Sequence, residues 1–215
     1  MAPALAIDVW FDLICPWCLI GRHQLNAALA QWRQAAPDVP VTLRWHPVQL
    51  IPQVPPQGWA FQSFYEQRLG SAAAVAARQA QVRQAAQAAG ARVDFARIRT
   101  FPNTAAAHRL LGLAARQLGE AGFDNVLRDL FTAYFERGLD IGQPLTLMAL
   151  AEQHGIPTTD LADTLANTDP LPKVDVPGVP FFVFNQRVAL SGAQPPEVLL
   201  AAMRQATHDA PVVTP

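Results

Sequence analysis

The chain has 215 residues, of which 51% are hydrophobic and 15% are charged, and its formal net charge is −1. This length suits one globular core, or one core that carries an insertion, and the balanced charge gives a nucleic-acid partner no basic surface. The first ten residues lack the basic and apolar segments of a secretory signal, and no run of about 18 apolar residues predicts a membrane span. We therefore expect a cytoplasmic protein with no nucleic-acid or membrane partner.

The N-terminal part of the chain predicts a β–α–β unit. The loosely alternating apolar residues of 5–11 are typical of a strand, and apolar residues spaced three or four apart predict a helix that starts at Pro16. Residues 41–50 predict a second strand. The prolines and the glycine of 52–58 then mark a boundary.

The middle of the chain, residues 59–166, is dominated by helical patterns and nearly lacks strand signals. Asn103 or Thr104 is expected to cap one of these helices, and Gly119 is expected to end it. The predicted helices are 60–69, 72–89, 103–119, 123–137, 144–154 and 159–166.

The C-terminal part predicts a hairpin followed by a helix. Two β-rich runs are separated by Asn185 and Gln186, and Pro180 belongs at a strand start because it cannot donate to a ladder. Pro195 and Pro196 suit the start of the last helix. The residues predicted to form its buried face are Val198, Leu199, Ala202 and Met203.

Two cysteines, Cys15 and Cys18, are the only ones in the chain, and they lie between the first predicted strand and its helix. A helix N-terminus stabilises a thiolate, so Cys15 is the expected nucleophile in thiol–disulfide exchange and Cys18 the resolving thiol. Zinc needs four ligands, whereas one CxxC gives two and the five histidines form no HxxxH-type set, so no metal is expected. Two inert buried cysteines remain the alternative interpretation.

Four segments, CPWCLIG, NTAAAHRL, GVPFFVFN and SGAQPPEVLLAAM, resemble in this order the DsbA-like dithiol oxidoreductases of the FrnE type. The resemblance extends from Ile7 to about Arg204. It implies an α/β, thioredoxin-like fold with an α-helical insertion, in which 1–58 and 167–215 form the core and 59–166 the insertion. It also implies thiol–disulfide oxidoreduction of protein or small-molecule dithiols and disulfides, with Cys15 and Cys18 as the redox pair and Pro180 as a cis-proline.

The segment before Pro180 departs from this resemblance. Residues 167–180 are shorter than the corresponding segment of the FrnE type, and their prolines discourage a helix. The departure affects the expected substrate preference and leaves the expected chemistry unchanged.

Kappa-class glutathione transferases and 2-hydroxychromene-2-carboxylate isomerases provide a second resemblance, through PNTAAAHR. They imply a glutathione-dependent isomerase or transferase, and they typically have Ser at the position of Cys15. The cysteine at this position favours the dithiol interpretation, and glutathione fits both as a co-substrate. A protein-binding module with a vestigial redox pair is a third alternative.

Five further residues are candidates for substrate binding. Asp12, three residues before Cys15, either assists proton transfer when Cys18 attacks or is a solvated or capping carboxylate. Asn103 is expected to cap its helix, and the resemblance places it over the active site. The resemblance gives the residue before the cis-proline a role in binding peptide through its backbone. The five candidates are Asp12, Pro16, Trp17, Asn103 and Val179. Apart from glutathione no cofactor is expected, and the protein is expected to be a monomer or a homodimer.

Overall fold

The computed structural model describes residues 4–167, 169 and 171–208, so residues 168 and 170 of the proline-rich segment before Pro180 lie outside the described residues. The helices and strands follow each other as β1 (Leu5–Phe11), α1 (Pro16–Ala35), β2 (Val41–Pro47), β3 (Trp59–Ala60), α2 (Phe61–Leu69), α3 (Ala72–Ala88), β4 (Thr100–Phe101), α4 (Ala105–Phe131), a π-helix (Thr132–Glu136), α5 (Pro144–Gln153), α6 (Thr158–Ala166), β5 (Phe181–Phe184), β6 (Val188–Ser191) and α7 (Pro196–His208).

The described residues form two compact units. Unit 1 holds those of Met1–Phe11, Trp17–Val48 and Val174–Pro215, and unit 2 holds those of Asp12–Pro16 and Gln49–Lys173. The division into domains at residues 58 and 166 stays a prediction.

Unit 1 contains a four-stranded sheet in the order β2–β1–β5–β6. Strands β1 and β2 are parallel and are connected through α1, which is the predicted β–α–β unit, and the other two pairs are antiparallel. Strand β2 ends at Pro47 rather than at residue 50. Just beyond the strand the Val48 N–H still donates to the Phe11 carbonyl at 2.8 Å, but the Leu50 N–H donates to a side chain, the Asp12 carboxylate, also at 2.8 Å.

The core of unit 1 comes from one face of β1 and β5 together with α1 and α7. Successive side chains of a strand point to opposite faces, so Leu5, Ile7 and Val9 of β1 join this core while Asp8 and Trp10 lie on the other face. Its largest members are Leu5, Ile7, Val9, Leu25, Leu29, Trp32, Phe182, Phe184, Leu199, Leu200 and Met203.

The buried face of α7 corrects one sequence prediction. Val198 is 37% exposed, whereas Leu199, Ala202 and Met203 are buried as predicted. The buried stripe continues through Ala206 with helical spacing, and Val198 lies at its margin.

The predicted hairpin is confirmed by β5 and β6. Asn185 and Gln186 adopt left-handed backbone conformations, with φ of 48° and 57°, which suits a tight turn between two antiparallel strands. The Asn185 side chain accepts a hydrogen bond from the Ala6 N–H at 2.7 Å, so the turn is tied to β1.

Unit 2 contains the helices α2 to α6 and a two-stranded antiparallel sheet, β3–β4, that the sequence analysis did not predict. The aromatic side chains of Trp59, Phe64 and Phe101 pack together at this small sheet. Gly119 has φ 69° and ψ −165°, which interrupts the helical backbone where the sequence predicted a stop, but α4 resumes at once and runs on to Phe131. No helix among the described residues has both the length and the apolar character needed to cross a membrane.

Candidate active site

Cys15 lies at the end of the loop of residues 12–15, which we call the Cys15 loop, directly before helix α1. The loop turns because the Cys15 N–H donates to the Asp12 carbonyl oxygen at 3.1 Å. Pro16 opens the helix, where a missing N–H leaves no helical hydrogen bond unmade. Cys15 is 8% exposed and Cys18, in the first turn of α1, is 1% exposed, so both thiols are largely shielded.

Helix α1 presents Cys18 on its buried face and leaves Trp17 partly exposed. The buried positions recur with helical spacing, through Leu25 and Leu29 to Trp32, and this pattern orients the first turn. The sequence pattern therefore places Cys18 on the buried face of α1, whereas Cys15 precedes the helix.

Asp12 is fully buried, so the interpretation of it as a solvated carboxylate is wrong. Its Oδ2 accepts a hydrogen bond from the Leu50 N–H at 2.8 Å, and its Oδ1 lies 3.1 Å from Nε2 of His108. Because Asp12 also provides the carbonyl that closes the turn of Cys15, a single residue connects the Cys15 loop to two distant segments of unit 2.

His108 is a residue of this site that was not predicted from the sequence. It lies on the buried face of α4, next to Ala107 and Leu111, and its side chain has no solvent exposure. The available signal was a histidine within the apolar stripe of a predicted helix, which requires a polar partner inside the protein. The partner is 96 positions away in sequence, and no local pattern identifies it.

Two tyrosines, also missed, lie close enough to the Cys15 loop for their ionisation to depend on it. Burial raises the pKa of Tyr65 to about 12, with further increases from Cys15 and Asp12 and an opposing effect of Arg68. Burial likewise raises the pKa of Tyr134 well above its usual value, and Tyr65, Asp140 and Asp12 add to the increase. Both hydroxyls therefore stay protonated at neutral pH.

Asn103 uses its carboxamide inside the protein. Its Oδ1 accepts hydrogen bonds from the Gln49 side chain at 2.9 Å and from the Ala105 N–H at 3.0 Å, and its Nδ2 donates to the Val54 carbonyl. The bond to Ala105 gives Asn103 the expected capping contact at the start of α4. The bond to Gln49 holds the residue that precedes Leu50, which is itself bound to Asp12.

Pro180 lies in unit 1, at the start of β5, as predicted. The Val179–Pro180 peptide bond is cis, and the Pro180 carbonyl accepts a hydrogen bond from the Gly192 N–H at 2.8 Å. The proline ring packs on α1 at Gly21, where an added Cβ would lie 2.9 Å from the Pro180 Cγ. Pro180 is thus placed one turn beyond Cys18 along the cysteine-bearing helix.

The candidate residues are therefore found in two groups. In unit 2, a backbone hydrogen bond connects Asp12 and Cys15, and Asn103 binds Gln49, which precedes Leu50. Trp17, Val179 and Pro180 belong to unit 1. Pro16, Trp17 and Val179 are partly buried.

Known structures of the same fold include several oxidoreductases. A probable DsbA oxidoreductase from Streptomyces coelicolor aligns with a TM-score of 0.83 at 23% identity, covering 98% of this chain and 93% of its own. The cytosolic disulfide reductase DsbM from Pseudomonas aeruginosa, in a structure with GSH, aligns with a TM-score of 0.54 at 16% identity, covering 94% of this chain and 96% of its own.

A 2-hydroxychromene-2-carboxylate isomerase has the same fold as well. It aligns with a TM-score of 0.58 at 14% identity, covering 93% of this chain and 95% of its own. No match was found among curated proteins. These structural similarities confirm the predicted thioredoxin-like α/β fold and leave the choice of chemistry to other observations.

A family model decides the membership of the chain. The model described as DSBA-like thioredoxin domain matches residues 6–204, a span that includes all of β1 except Leu5, the Cys15 loop, all of unit 2 and β5–β6. The chain belongs to the DSBA-like thioredoxin domain family, a family of thiol oxidoreductases.

Proposed function

We propose that the protein is a dithiol–disulfide oxidoreductase in which Cys15 and Cys18 exchange disulfides with protein or small-molecule substrates. The position of Cys15 directly before helix α1, with Cys18 in the first turn, is the observation that carries this proposal. The free N–H groups of the first turn and the helix dipole stabilise an anion there, and a thiolate is the form of cysteine that attacks disulfides.

The exchange proceeds in two substitutions at sulfur. The Cys15 thiolate attacks one sulfur of a substrate disulfide, forms a mixed disulfide, and releases the other substrate sulfur as a thiolate. The Cys18 thiol loses its proton to solvent and attacks the Cys15 sulfur, which releases the second substrate thiolate. Two electrons have then passed from the protein dithiol to the substrate, and the reverse sequence oxidises a substrate dithiol.

The groups that react in the proposed exchange are only thiols and disulfides, so no metal or organic cofactor takes part. Glutathione is proposed as a co-substrate, and the disulfide reductase DsbM, whose structure includes GSH, supports that proposal by its shared fold. The proposed compartment is the cytoplasm, and Pro16, Trp17, Val179 and Asn103 are the proposed substrate-contacting residues. Pro180, whose ring packs against α1 at Gly21, is proposed as the cis-proline that faces the cysteine pair.

A redox titration tests the proposed function. The purified protein is equilibrated in glutathione buffers of graded potential, and tryptophan fluorescence and thiol trapping are measured together. We expect one two-electron transition to an intramolecular disulfide in the wild-type chain, and at most a mixed disulfide with glutathione in Cys15→Ser or Cys18→Ser. Thiols that stay reduced over the whole range contradict the proposal.

The same variants separate the glutathione-dependent isomerase or transferase from the oxidoreductase. An isomerase that uses glutathione as its thiol keeps its activity in Cys15→Ser, whereas dithiol exchange is lost. A chain that binds partner proteins with both cysteines replaced by Ala, and that exchanges no disulfides, indicates a binding module.

A further inference from the structure

A buried ion-pairing group lies next to the Cys15 loop and takes no part in the exchange described above. Nε2 of His108 is 3.1 Å from Oδ1 of Asp12, and neither side chain is exposed to solvent. The second Asp12 oxygen accepts the Leu50 N–H, and the Asp12 carbonyl accepts the Cys15 N–H. Asp12 therefore links His108 to the backbone of the proposed nucleophile.

The charge of Asp12 has to be balanced in this place. A carboxylate without solvent is strongly unfavourable unless it is paired, and a backbone N–H supplies only a dipole. A bare anion beside Cys15 also opposes the formation of a second anion, the thiolate. Among the described contacts of Asp12, His108 is the one that can carry a positive charge.

The other titratable groups around the pair do not supply this charge. Tyr65 on α2 and Tyr134 on the π-helix are neutral at pH 7, because the usual pKa of tyrosine, about 10, is already well above this pH and burial raises the pKa of each further. Asp140, which acts on Tyr134, accepts hydrogen bonds from the Gly142 N–H and the Gln143 side chain, and a carboxyl group supplies no positive charge. Arg68, one turn after Tyr65, is exposed to solvent, which screens its charge.

We propose that His108 is a positioning residue for thiol exchange: it holds a proton against the Asp12 carboxylate, so that the Cys15 thiol ionises beside a charge-balanced pair. The thiol proton itself goes to solvent, and His108 keeps its own. The inference rests on the proposed function in one respect, that Cys15 is the reacting thiol.

Alkylation of Cys15 in a Cys18→Ser chain tests the proposal, because Cys15 is then the only thiol. The Cys15 thiolate displaces iodide from iodoacetamide, and the rate is measured from pH 5 to 9. We expect His108→Gln to slow alkylation about tenfold at pH 7, since the Asp12 anion is left unbalanced. We expect Asp12→Asn to be at least as fast as the parent, and the double variant to match Asp12→Asn.

A second histidine–aspartate pair in unit 2 provides the matched control. Nε2 of His154 lies 2.9 Å from Oδ2 of Asp129, so His154→Gln removes a similar contact from the same unit. We expect this variant to alkylate at the parent rate. Two results overturn the proposal: His108→Gln alkylating at the parent rate, or His108→Gln slowing alkylation equally in the Asp12→Asn background, which indicates a purely structural role.

Nitrogen NMR of histidine-labelled wild-type protein keeps the proposal testable if His108→Gln does not fold. We expect both ring nitrogens of His108 to carry protons at pH 7, and a neutral ring overturns the proposal. Alkylation needs no disulfide exchange, so the two hypotheses fail separately. A flat redox titration with the expected alkylation rates refutes the proposed function alone, and a two-electron transition with unchanged rates in His108→Gln refutes this inference alone.

Discussion

Asp8 and Asp12 are close in sequence but have different roles, because their environments differ. Asp12 has no solvent exposure and interacts with one histidine and one backbone N–H, whereas Asp8 on β1 lies 3.0 Å from Nε of Arg44 and 2.7 Å from Nε2 of His46. Burial raises the pKa of Asp8, but the hydrogen bonds and charges of His46 and Arg44 outweigh burial, and the pKa is lowered overall. Asp8 thus stabilises the sheet by its charge.

The lowered pKa of Asp8 predicts a loss of stability in acid. A carboxylate whose pKa is lower when folded contributes its full stabilisation above the unfolded value, about 3.9, and loses it as the pH falls through the folded value. Asp8→Asn should therefore lose about 1–3 kcal/mol of the free energy of unfolding at pH 7 and depend less on pH below about 4. Urea denaturation at pH 7 and pH 3 measures both effects.

The exposed pair of Asp94 and Arg97 supplies the control for this prediction. The Asp94 side chain is 47% exposed, and an exposed ion pair contributes about 0–1 kcal/mol. Asp94→Asn should leave the acid dependence nearly unchanged. Equal pH profiles for wild-type protein and Asp8→Asn would refute the assignment of acid sensitivity to Asp8.

Helix α1 is positioned by close packing as well as by its apolar stripe. A Cβ added at Gly21 would lie 2.9 Å from the Pro180 Cγ and 3.2 Å from the Phe182 Cζ, which is closer than unstrained atoms approach. Glycine at this position lets the helix that bears Cys18 contact the strand that begins after Pro180. The two elements have this spacing because position 21 has no side chain.

Gly21→Ala should therefore destabilise the protein, although alanine is the better helix former by about 1 kcal/mol. Overpacking of this kind costs typically about 1–3 kcal/mol, so we expect a net loss in thermal unfolding. Gly112→Ala on α4 is the matched substitution, because its added Cβ would meet only the Arg116 Nη1, at 3.6 Å. We expect Gly112→Ala to raise the melting temperature, and a rise for both variants would contradict the packing argument.

At the scale of elements, sequence patterns predict what repeats locally and miss what depends on distant partners. The periodicity from Pro16 to Trp32 predicts α1, and Asn185–Gln186 predicts the turn between β5 and β6, because each pattern lies within one segment. Strands of two residues, such as Trp59–Ala60, are too short to have a pattern. They form because Phe101 and its neighbours, forty residues away, pack against them.

The site follows the same division. The CxxC motif, Asp12 and Pro180 are visible in the sequence as local motifs, whereas the contact of Asp12 with His108 joins residues 96 positions apart. Tyr65 and Tyr134 give no sequence signal, since an aromatic residue on an apolar helix face is ordinary core. The effect of Cys15 on Tyr65, and of Asp12 on both tyrosines, arises only from the folded chain of unit 2.

At the scale of the whole molecule, unfolding at alkaline pH can be followed by the ionisation of tyrosine. The chain contains two tyrosines, and both have a raised pKa. A tyrosine that ionises less readily when folded contributes stability that is complete below the unfolded pKa, about 10, and is lost as the pH rises towards the folded value. Unfolding in base should therefore appear as ionisation of tyrosine.

Absorbance of tyrosinate at alkaline pH measures this coupling. We expect the native protein to show almost no tyrosinate at pH 10, where the denatured chain is half ionised, and to show it at about pH 12 or wherever unfolding occurs. Circular dichroism recorded alongside identifies unfolding. A tyrosinate transition near pH 10 in protein that is still folded would contradict the burial of these hydroxyls.

The pairing of β1 with β5 has a consequence for synthesis on the ribosome. β1 and β2 are complete once Pro47 has been made, but their sheet and core also require β5, which begins at Phe181. At about 5–20 residues per second the intervening chain takes on the order of ten seconds to translate. During that interval one edge of β1 has no native partner, and its apolar side chains can pack on α1 but not on β5 or α7, while the chain from Gln49 onward emerges. The nascent N-terminal strands therefore keep an unpaired edge exposed until most of the chain has been made.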